Sequence, residues 1–427
     1  MTSEEILGII CPGSPAPGIN PCISALTTYA VKLKWKVIGF HDGFLHLSTG
    51  DIEKVQENMT ILENKDVLNF NKNNGTILRT DRYDPSKFPQ KVMNCVRMLT
   101  QLKIQYLIII GGNDQINVAN FISSGVDPAD MKLIVIPKTV DNDIALPPNQ
   151  TTLGFNSARS FAIPILRNLI FDAKSAPRWF IVETMGRRSG HLALSICQAS
   201  GAKFAIIPED FGRKRIDLSD ICDVIEGAIL KSLVLGENFG VCLLSEGLIN
   251  QMSTLSIQQL TEDGTISYNS EGRIVLDNAE ISRAVRVEIE KRFSLSNIEI
   301  KVANKKVGYE FRSCDPSCFD SVYAQELAYG AIEGFKNDHS NCIVTSQSGV
   351  ISYLSFRSIL DQDTGRVVAR RVDVNSEVYK IARSYMQVIT KEDLEDEEMV
   401  RKLAQVGNST PEKIVEKYKK VISLLVQ

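Results

Sequence analysis

Short apolar runs recur along the first 250 residues, each followed by a longer stretch with apolar residues at helical spacing. Residues 6–10, 35–40, 105–110, 133–136, 178–185, 203–207 and 240–244 read as strands. Their apolar character is largely continuous rather than alternating, which predicts burial on both sheet faces. Helical patterns follow at 22–33, 89–102, up to 123, up to 173, 192–200 and 218–232. This alternation predicts an α/β fold of the doubly wound kind. Some seven strands are too many for one small sheet and enough for two. Further on, 278–292 and 319–335 read as helices and 343–345 with 350–355 as a closing hairpin. The tail after 374 reads as helical, with a charged run over 391–402. Residues 51–71 read as a polar, roughly helical surface insertion, and 250–275 as an insertion or a loop over a substrate.

Polar residues gather where these strands end, which is where open α/β sheets bind ligands. The run 133–136 leads into Pro137-Lys138-Thr139-Val140-Asp141-Asn142-Asp143. A carboxylate there can take a proton and a lysine can hold a phosphate. The alternative is a helix start capped by Asp141 or Asp143. The first strand runs into Cys11-Pro-Gly13-Ser14 and then a helix, a layout that turns backbone N–H groups toward an anion. The third run, 105–110, ends in Gly111-Gly112-Asn113-Asp114, whose glycines allow close approach of a ligand. Residues 74–82 form a glycine turn leading to Arg79 and Arg82, suited to reaching a phosphate.

Composition narrows the classes. A chain of 427 residues, 44% hydrophobic and 23% charged, is that of a globular protein with two or three domains. The net charge of -3 gives no reason to expect nucleic acid or an anionic membrane. The start MTSEEILGII lacks the features of a signal peptide, and no run reaches the roughly 20 apolar residues of a membrane helix. Nine scattered cysteines are expected as free thiols in a reducing cytosol. Cys314 and Cys318 have no second pair, which argues against a zinc site.

Taken with Met185-Gly186-Arg187-Arg188-Ser189-Gly190-His191, Ser245-Glu246-Gly247 and Gly308-Tyr309-x-x-Arg312, the stretch 137–143 makes the chain resemble a phosphofructokinase over about residues 6–334. It is more similar to the pyrophosphate-dependent branch and its atypical ATP-using relatives than to the short bacterial ATP enzymes. The resemblance implies two Rossmann-like three-layer αβα lobes with the active site in the cleft between them, plus a helical C-terminal extension. The implied phosphoryl-donor lobe is 1–152 with 311–365. The implied fructose 6-phosphate lobe is 153–310 with 366–427, the latter including the extension. The implied reaction is Mg²⁺-dependent phosphoryl transfer from pyrophosphate to the 1-hydroxyl of fructose 6-phosphate, giving fructose 1,6-bisphosphate in glycolysis. The implied setting is a cytoplasmic homodimer or homotetramer.

Residue by residue, Asp141 matches the family's general base, with Lys138 and Arg82 bearing charge. Thr139, Val140, Met185, Gly186, Arg187 and Glu246 match residues that hold the sugar phosphate. Tyr309 and Arg312 match positions that bind its 6-phosphate. Arg178 matches an arginine that reaches a neighbouring subunit's site. Gly13, Gly112 and Asp114 match the phosphoryl-donor side, and Asn113 and Asp143 the metal side. Asp114 stands where the short ATP enzymes carry glycine. It adds bulk and negative charge against a nucleotide, which favours pyrophosphate. Lys138, also a glycine there, can stabilise a pyrophosphate leaving group.

The departures lie mostly on the donor side. Asn113 replaces the family's magnesium-binding aspartate, which removes a charge from a hard-cation site. Ser14 and Arg79 stand where glycine is common. Ala303 stands where an arginine usually binds the 6-phosphate, with Lys301 or Lys305 as possible substitutes. Two alternatives follow: an atypical ATP-dependent enzyme, or a catalytically weak regulatory paralogue that binds the sugar phosphate. A Rossmann dehydrogenase is disfavoured, because no G-x-G-x-x-G follows the first strand.

Overall fold

A computed structural model describes residues 5–68, 74–269, 272 and 274–426. The strands are β1 (Ile6–Ile10), β2 (Lys36–Phe40), β3 (Met59–Ile61), β4 (Tyr106–Gly111), β5 (Lys132–Thr139), β6 (Leu153–Gly154), β7 (Trp179–Thr184), β8 (Phe204–Ile206), β9 (Gly240–Ser245), β10 (Val302–Val307), β11 (Cys342–Gln347) and β12 (Val350–Ser355). The chain divides into two compact units. Unit 1 is Met1–Ser160 with Tyr309–Arg370, and unit 2 is Phe161–Gly308 with Arg371–Gln427.

In unit 1 the strand order is β12-β11-β5-β4-β1-β2-β3, with β6 beside β5. The sheet is parallel except at its edges, where β3 and β12 run antiparallel to their neighbours. Period-two alternation divides each central strand between two helical layers. Leu107, Ile109, Leu133 and Val135 face the side covered by helices Pro89–Gln101 and Asn113–Ser124. Ile134 faces the other side, where it meets Gly334 of helix Cys318–Lys336. That helix packs against Ile19–Lys32. Its anchor is Asp320, fully buried, which accepts hydrogen bonds from Gly154 N and from Ser157 N and Oγ.

In unit 2 the order is β10-β7-β9-β8, all parallel. Helix Ile281–Leu295 packs on β7 and β10, and His191–Ser200 on β8 and β9. The tail belongs to this unit: helices Glu397–Val406 and Pro411–Leu424 lie against Leu218–Val234, where Gly227 makes room for the Tyr418 ring.

The α/β reading holds, and the differences are local. Among the described residues nine strands precede residue 250 rather than seven, because β3 and β6, three and two residues long, are too short to carry a periodic signal. Residues 51–68 are helical in part, as read, but they also join the sheet and the core. They form helix Ile52–Glu57, the edge strand β3 and helix Asn64–Val67, and they bury Val55, Leu62 and Val67. Residues 69–71 of that reading lie outside the described residues. The stretch after 250 contains helix Thr254–Glu262, capped by Ser253, with Leu260 and Ile266 buried, so it is part of the fold. No helix starts at Asp141 or Asp143; the next one is Phe155–Ser175. Among the described residues no helix is long and apolar enough to cross a membrane, and all nine cysteines are free thiols.

Candidate active site

Parallel pairing sets the carboxyl ends of β5, β4, β1 and β2 side by side along one edge of the unit 1 sheet. The loops after them therefore share that edge. Gly13 follows β1 with φ +94°, a left-handed backbone that glycine adopts without strain. Its N–H donates to Asp81 O at 2.9 Å, and its carbonyl accepts from Thr80 Oγ1 at 2.6 Å. Arg82 Nε donates to Ser14 Oγ at 3.1 Å. The segment 80–82 is thus laced to the loop after β1, and Arg82 is presented at its surface.

Lys138, near the end of β5, is 4% exposed and donates to Ser14 O at 2.6 Å and Pro12 O at 3.2 Å. Burial pushes its ammonium from 10.5 down to about 8; Cys11 opposes the shift, while the cations of Arg82 and Arg312 add to it. Both guanidinium groups therefore act on the Lys138 ammonium. Arg312, itself buried, stacks over the Tyr309 ring at 4.5 Å.

Beyond Lys138 the chain turns sharply. Thr139 Oγ1 accepts from Asp141 N at 3.1 Å, and Thr152 Oγ1 donates to Thr139 O at 2.6 Å. Asn142 sits at φ +56°, which asparagine tolerates better than most residues. Arg370 fixes this turn. It donates from Nε to Asn142 O at 3.1 Å, from Nη1 to Gln150 O at 2.9 Å and from N to Asp143 O at 2.8 Å.

Val140 and Asp143 are buried, whereas Asp141 and Thr139 are partly exposed. Beside them, Gly112 comes close to the Lys138 carbonyl, and Asn113 Nδ2 donates to Asp143 O at 3.0 Å. Asn113 Oδ1 is buried without a hydrogen-bond partner, an uncompensated oxygen at the start of a helix. Asp114 is exposed in the first turn of that helix.

Unit 2 carries the other set. Gly186 has φ +137°, and a Cβ there would lie 2.5 Å from Ser189 O. Its N–H donates to the buried Glu246 at 3.4 Å, and its carbonyl accepts from Ser245 Oγ at 3.1 Å. Asn250 Nδ2 donates to Arg187 O at 2.7 Å, leaving the Arg187 side chain exposed. Met185 packs beside Gly308. Strand register explains the pair Glu183–Lys306, opposite each other on β7 and β10 at 3.1 Å. Lys301, Ala303 and Lys305 occupy the other face of that stretch. Arg178 stands at the opposite end of β7 from Met185–Arg187, 3.7 Å from Asp172, so its own unit does not bring it to the others.

Arg370, Glu183, Lys306, Glu209 and Asp320 were not picked out from sequence. Glu209 accepts from Gly190 N at 3.1 Å and from Val372 N at 3.0 Å, and burial raises its carboxyl above the usual range. Each makes its contacts with residues far away in the chain, so no local motif marks it. The pair Glu183 and Lys306 was legible only in principle, as charges inside otherwise strand-like runs.

The unit 1 edge combines a partly exposed carboxylate, converging cations and one orphan oxygen. That set can take a proton and hold a polyanion with a hard cation. Among the described residues no cluster of three or more His, Cys, Asp and Glu forms a metal cage.

The phosphofructokinase family model matches residues 6–335. A pyrophosphate–fructose 6-phosphate 1-phosphotransferase of Thermotoga maritima is 37% identical over 420 residues, 97% of this chain and 98% of that one. A protein of the same name from Naegleria fowleri is 34% identical over 426 residues, 97% and 95% of the two chains. An ATP-dependent 6-phosphofructokinase of a Sulfurihydrogenibium species is 27% identical over 343 residues, 80% and 90%. Among solved structures, a pyrophosphate-dependent phosphofructokinase from Nitrosospira multiformis superposes with a TM-score of 0.64 at 17% identity, covering 90% of this chain and 91% of that one. The Pichia pastoris phosphofructokinase in the T-state superposes with a TM-score of 0.65 at 17% identity, over 99% of this chain and 39% of that longer one. At such identities the structures speak for the fold alone.

Proposed function

The chain belongs to the phosphofructokinase family, and from that premise we propose that it transfers a phosphoryl group from pyrophosphate to the 1-hydroxyl of fructose 6-phosphate. The observation that carries this reading is Lys138, a buried ammonium held on the Pro12 and Ser14 carbonyls at the end of the strand that also delivers Asp141. The 37% and 34% identical relatives carry pyrophosphate in their names, whereas the ATP-named relative is 27% identical. Asp114, exposed in the first turn of its helix, puts negative charge where a further phosphate would otherwise be drawn to the N–H groups.

Asp141 takes the proton from the sugar 1-hydroxyl as that oxygen forms its bond to phosphorus. The bond from phosphorus to the leaving phosphate breaks in line. Lys138 and Arg82 carry the negative charge that shifts onto the leaving group. Gly13 and Gly112 let the backbone approach the donor. Thr139, Val140, Met185, Gly186, Arg187 and Glu246 hold the sugar, and Tyr309 and Arg312 its 6-phosphate. Lys305 shares a strand face with Ala303 and is a candidate for the missing arginine's role. Arg178 acts in a neighbouring subunit of a homodimer or homotetramer in the cytoplasm.

The residues present fit Mg²⁺. Asn113 Oδ1, buried without a hydrogen-bond partner, would be one hard ligand, and Asp143, whose main-chain carbonyl accepts from Asn113 Nδ2, would supply another. Mg²⁺ keeps water and phosphate ligands and so needs few protein ones. When bound, it would neutralise phosphate charge.

The test is the initial rate with fructose 6-phosphate and Mg²⁺, with pyrophosphate and ATP supplied separately. Turnover with pyrophosphate alone is expected. Turnover with ATP alone would overturn the donor assignment. Silence with both, in protein that still binds the sugar phosphate, would favour the regulatory reading, which rests on Asn113 in place of an aspartate.

A further inference from the structure

Beside the donor loop stands a group of residues that the reaction above does not use. Asp42, at the end of β2, and Arg79, at the turn before Arg82, are both at φ +55°. Neither is a glycine, and each holds a left-handed backbone that side chains disfavour. They hold it against each other. Arg79 Nη2 donates to Asp42 Oδ2 at 2.6 Å, and Asp42 N donates to Leu78 O at 3.1 Å. His46 Nε2 lies 3.0 Å from the same carboxylate oxygen, and His41 Nδ1 lies 3.4 Å from Arg79 Nη2.

The cluster leans on the donor loop. A Cβ on Gly43 would come within 3.0 Å of Pro12, so the turn after β2 is packed against the residue whose carbonyl receives Lys138. From Arg79 the chain runs through Thr80, Asp81 and Arg82, each bonded to Gly13 or Ser14. Two strained residues with an ion pair between them thus sit where the arginine-bearing segment is folded onto the loop. Strain held at such a place marks a constraint.

We propose that the Asp42–Arg79 pair is a clamp that positions Arg82 and the Cys11–Ser14 loop for the phosphoryl donor. Arg79 is a positioning residue that acts through Arg82, and the clamp rests on the donor reading above.

The test is a set of four variants, Arg79→Lys, Arg79→Gly, Arg79→Asp and Asp42→Asn, with the double variant Asp42→Asn/Arg79→Gly. Each is checked for a cooperative melt. The readouts are KM for pyrophosphate, KM for fructose 6-phosphate, kcat, and pyrophosphate affinity by calorimetry without the sugar. Glycine and aspartate suit the left-handed backbone better than arginine, so a strain-only role predicts unchanged or better donor binding in both. The clamp predicts the reverse. Donor KM is expected to rise about three- to fivefold in Arg79→Gly, the scale of a partly exposed ion pair, and further in Arg79→Asp. Arg79→Lys should restore most of the loss, and the sugar KM should not move.

Asp42→Asn should match Arg79→Gly, with the double variant no worse than either. If Arg79 touched the phosphate itself, Asp42→Asn would leave donor KM unchanged or lower it, and the effects would add; that result overturns the clamp. Absence of pyrophosphate turnover and binding in the unaltered protein would overturn the donor reading instead. The same variants assayed with ATP then decide the clamp by the same ordering.

Discussion

The two sets of strand ends solve different problems. In unit 2 the carboxylates and the Ser245 hydroxyl that follow β8 and close β9 are tied to main chain, although Thr184 Oγ1 at the end of β7 is buried without a partner. Glu246 accepts from Gly186 N, Glu209 from Gly190 N and Val372 N, and Ser245 donates to Gly186 O. In unit 1 the corresponding edge holds a buried ammonium, an orphan carbonyl oxygen at Asn113 and left-handed non-glycine residues at Asp42, Arg79 and Asn142. Carboxylates bonded to main-chain N–H groups build a rigid mould, suited to a substrate whose shape is fixed. Strained non-glycine backbone persists where charge must be received and released. On the proposed reading, the unit 2 mould supplies only its share of the sugar contacts, while unit 1 carries the chemistry at its strained edge and also supplies Thr139, Val140, Tyr309 and Arg312.

The sharpest way to break that contrast is at Asp141. Asp141→Ala removes the proposed base without removing any sugar contact in unit 2. It should lower kcat by about 10³-fold or more, with sugar phosphate KM changed only modestly. Near-normal turnover would move the base elsewhere. Lys138→Met comes next. Losing a preorganised cation should cost about 10²-fold in kcat. Because it also removes a buried charge, the melting temperature should hold or rise. A large drop in stability would recast Lys138 as a structural tie between β5 and the loop after β1.

The mould is probed by Gly186→Ala. The added Cβ meets Ser189 O, and the left-handed backbone alone costs about 1–3 kcal/mol. Lower thermal stability and a raised sugar phosphate KM should come together, with donor KM unchanged. A change in donor KM alone would erase the division between the two sets.

How far sequence carried this picture depends on the range of the contacts. The α/β alternation is local, and it was legible from runs such as 105–110 and 133–136. Most candidate residues were picked out because they fall after strand ends within family motifs, whereas Arg82 lies in a loop and Arg178 just before β7. Arg79 was half visible: it was marked by a glycine preference, and φ +55° supplies its reason. What stayed hidden was long-range. Arg370 lies 228 residues from Asn142, whose turn it fixes, and Asp320 lies 163 residues from Ser157. Lys306 meets Glu183 only through the pairing of β7 with β10. A lone arginine or aspartate in sequence carries no sign of its partner, whereas a strand carries its period in itself.

The smallest effect expected is a proton. Burial lowers Lys138 to about 8, so in the unliganded protein its ammonium is lost as pH rises through that value. In the unfolded chain it would persist to about 10.4. Between these values the unfolded state holds more protons, so this group makes folding more favourable as pH rises through the window and contributes a constant penalty below it. A bound polyanion reverses the local balance, because negative charge favours the protonated lysine. Pyrophosphate binding near pH 8 should therefore draw in part of a proton at Lys138, and affinity should weaken above that pH. Calorimetry in buffers of different ionisation enthalpy reads the uptake directly. Lys138→Met should abolish that fraction while leaving the proton linkage of sugar phosphate binding as it was. Uptake that survives the substitution would place the titrating group elsewhere and remove Lys138 from contact with the donor's charge.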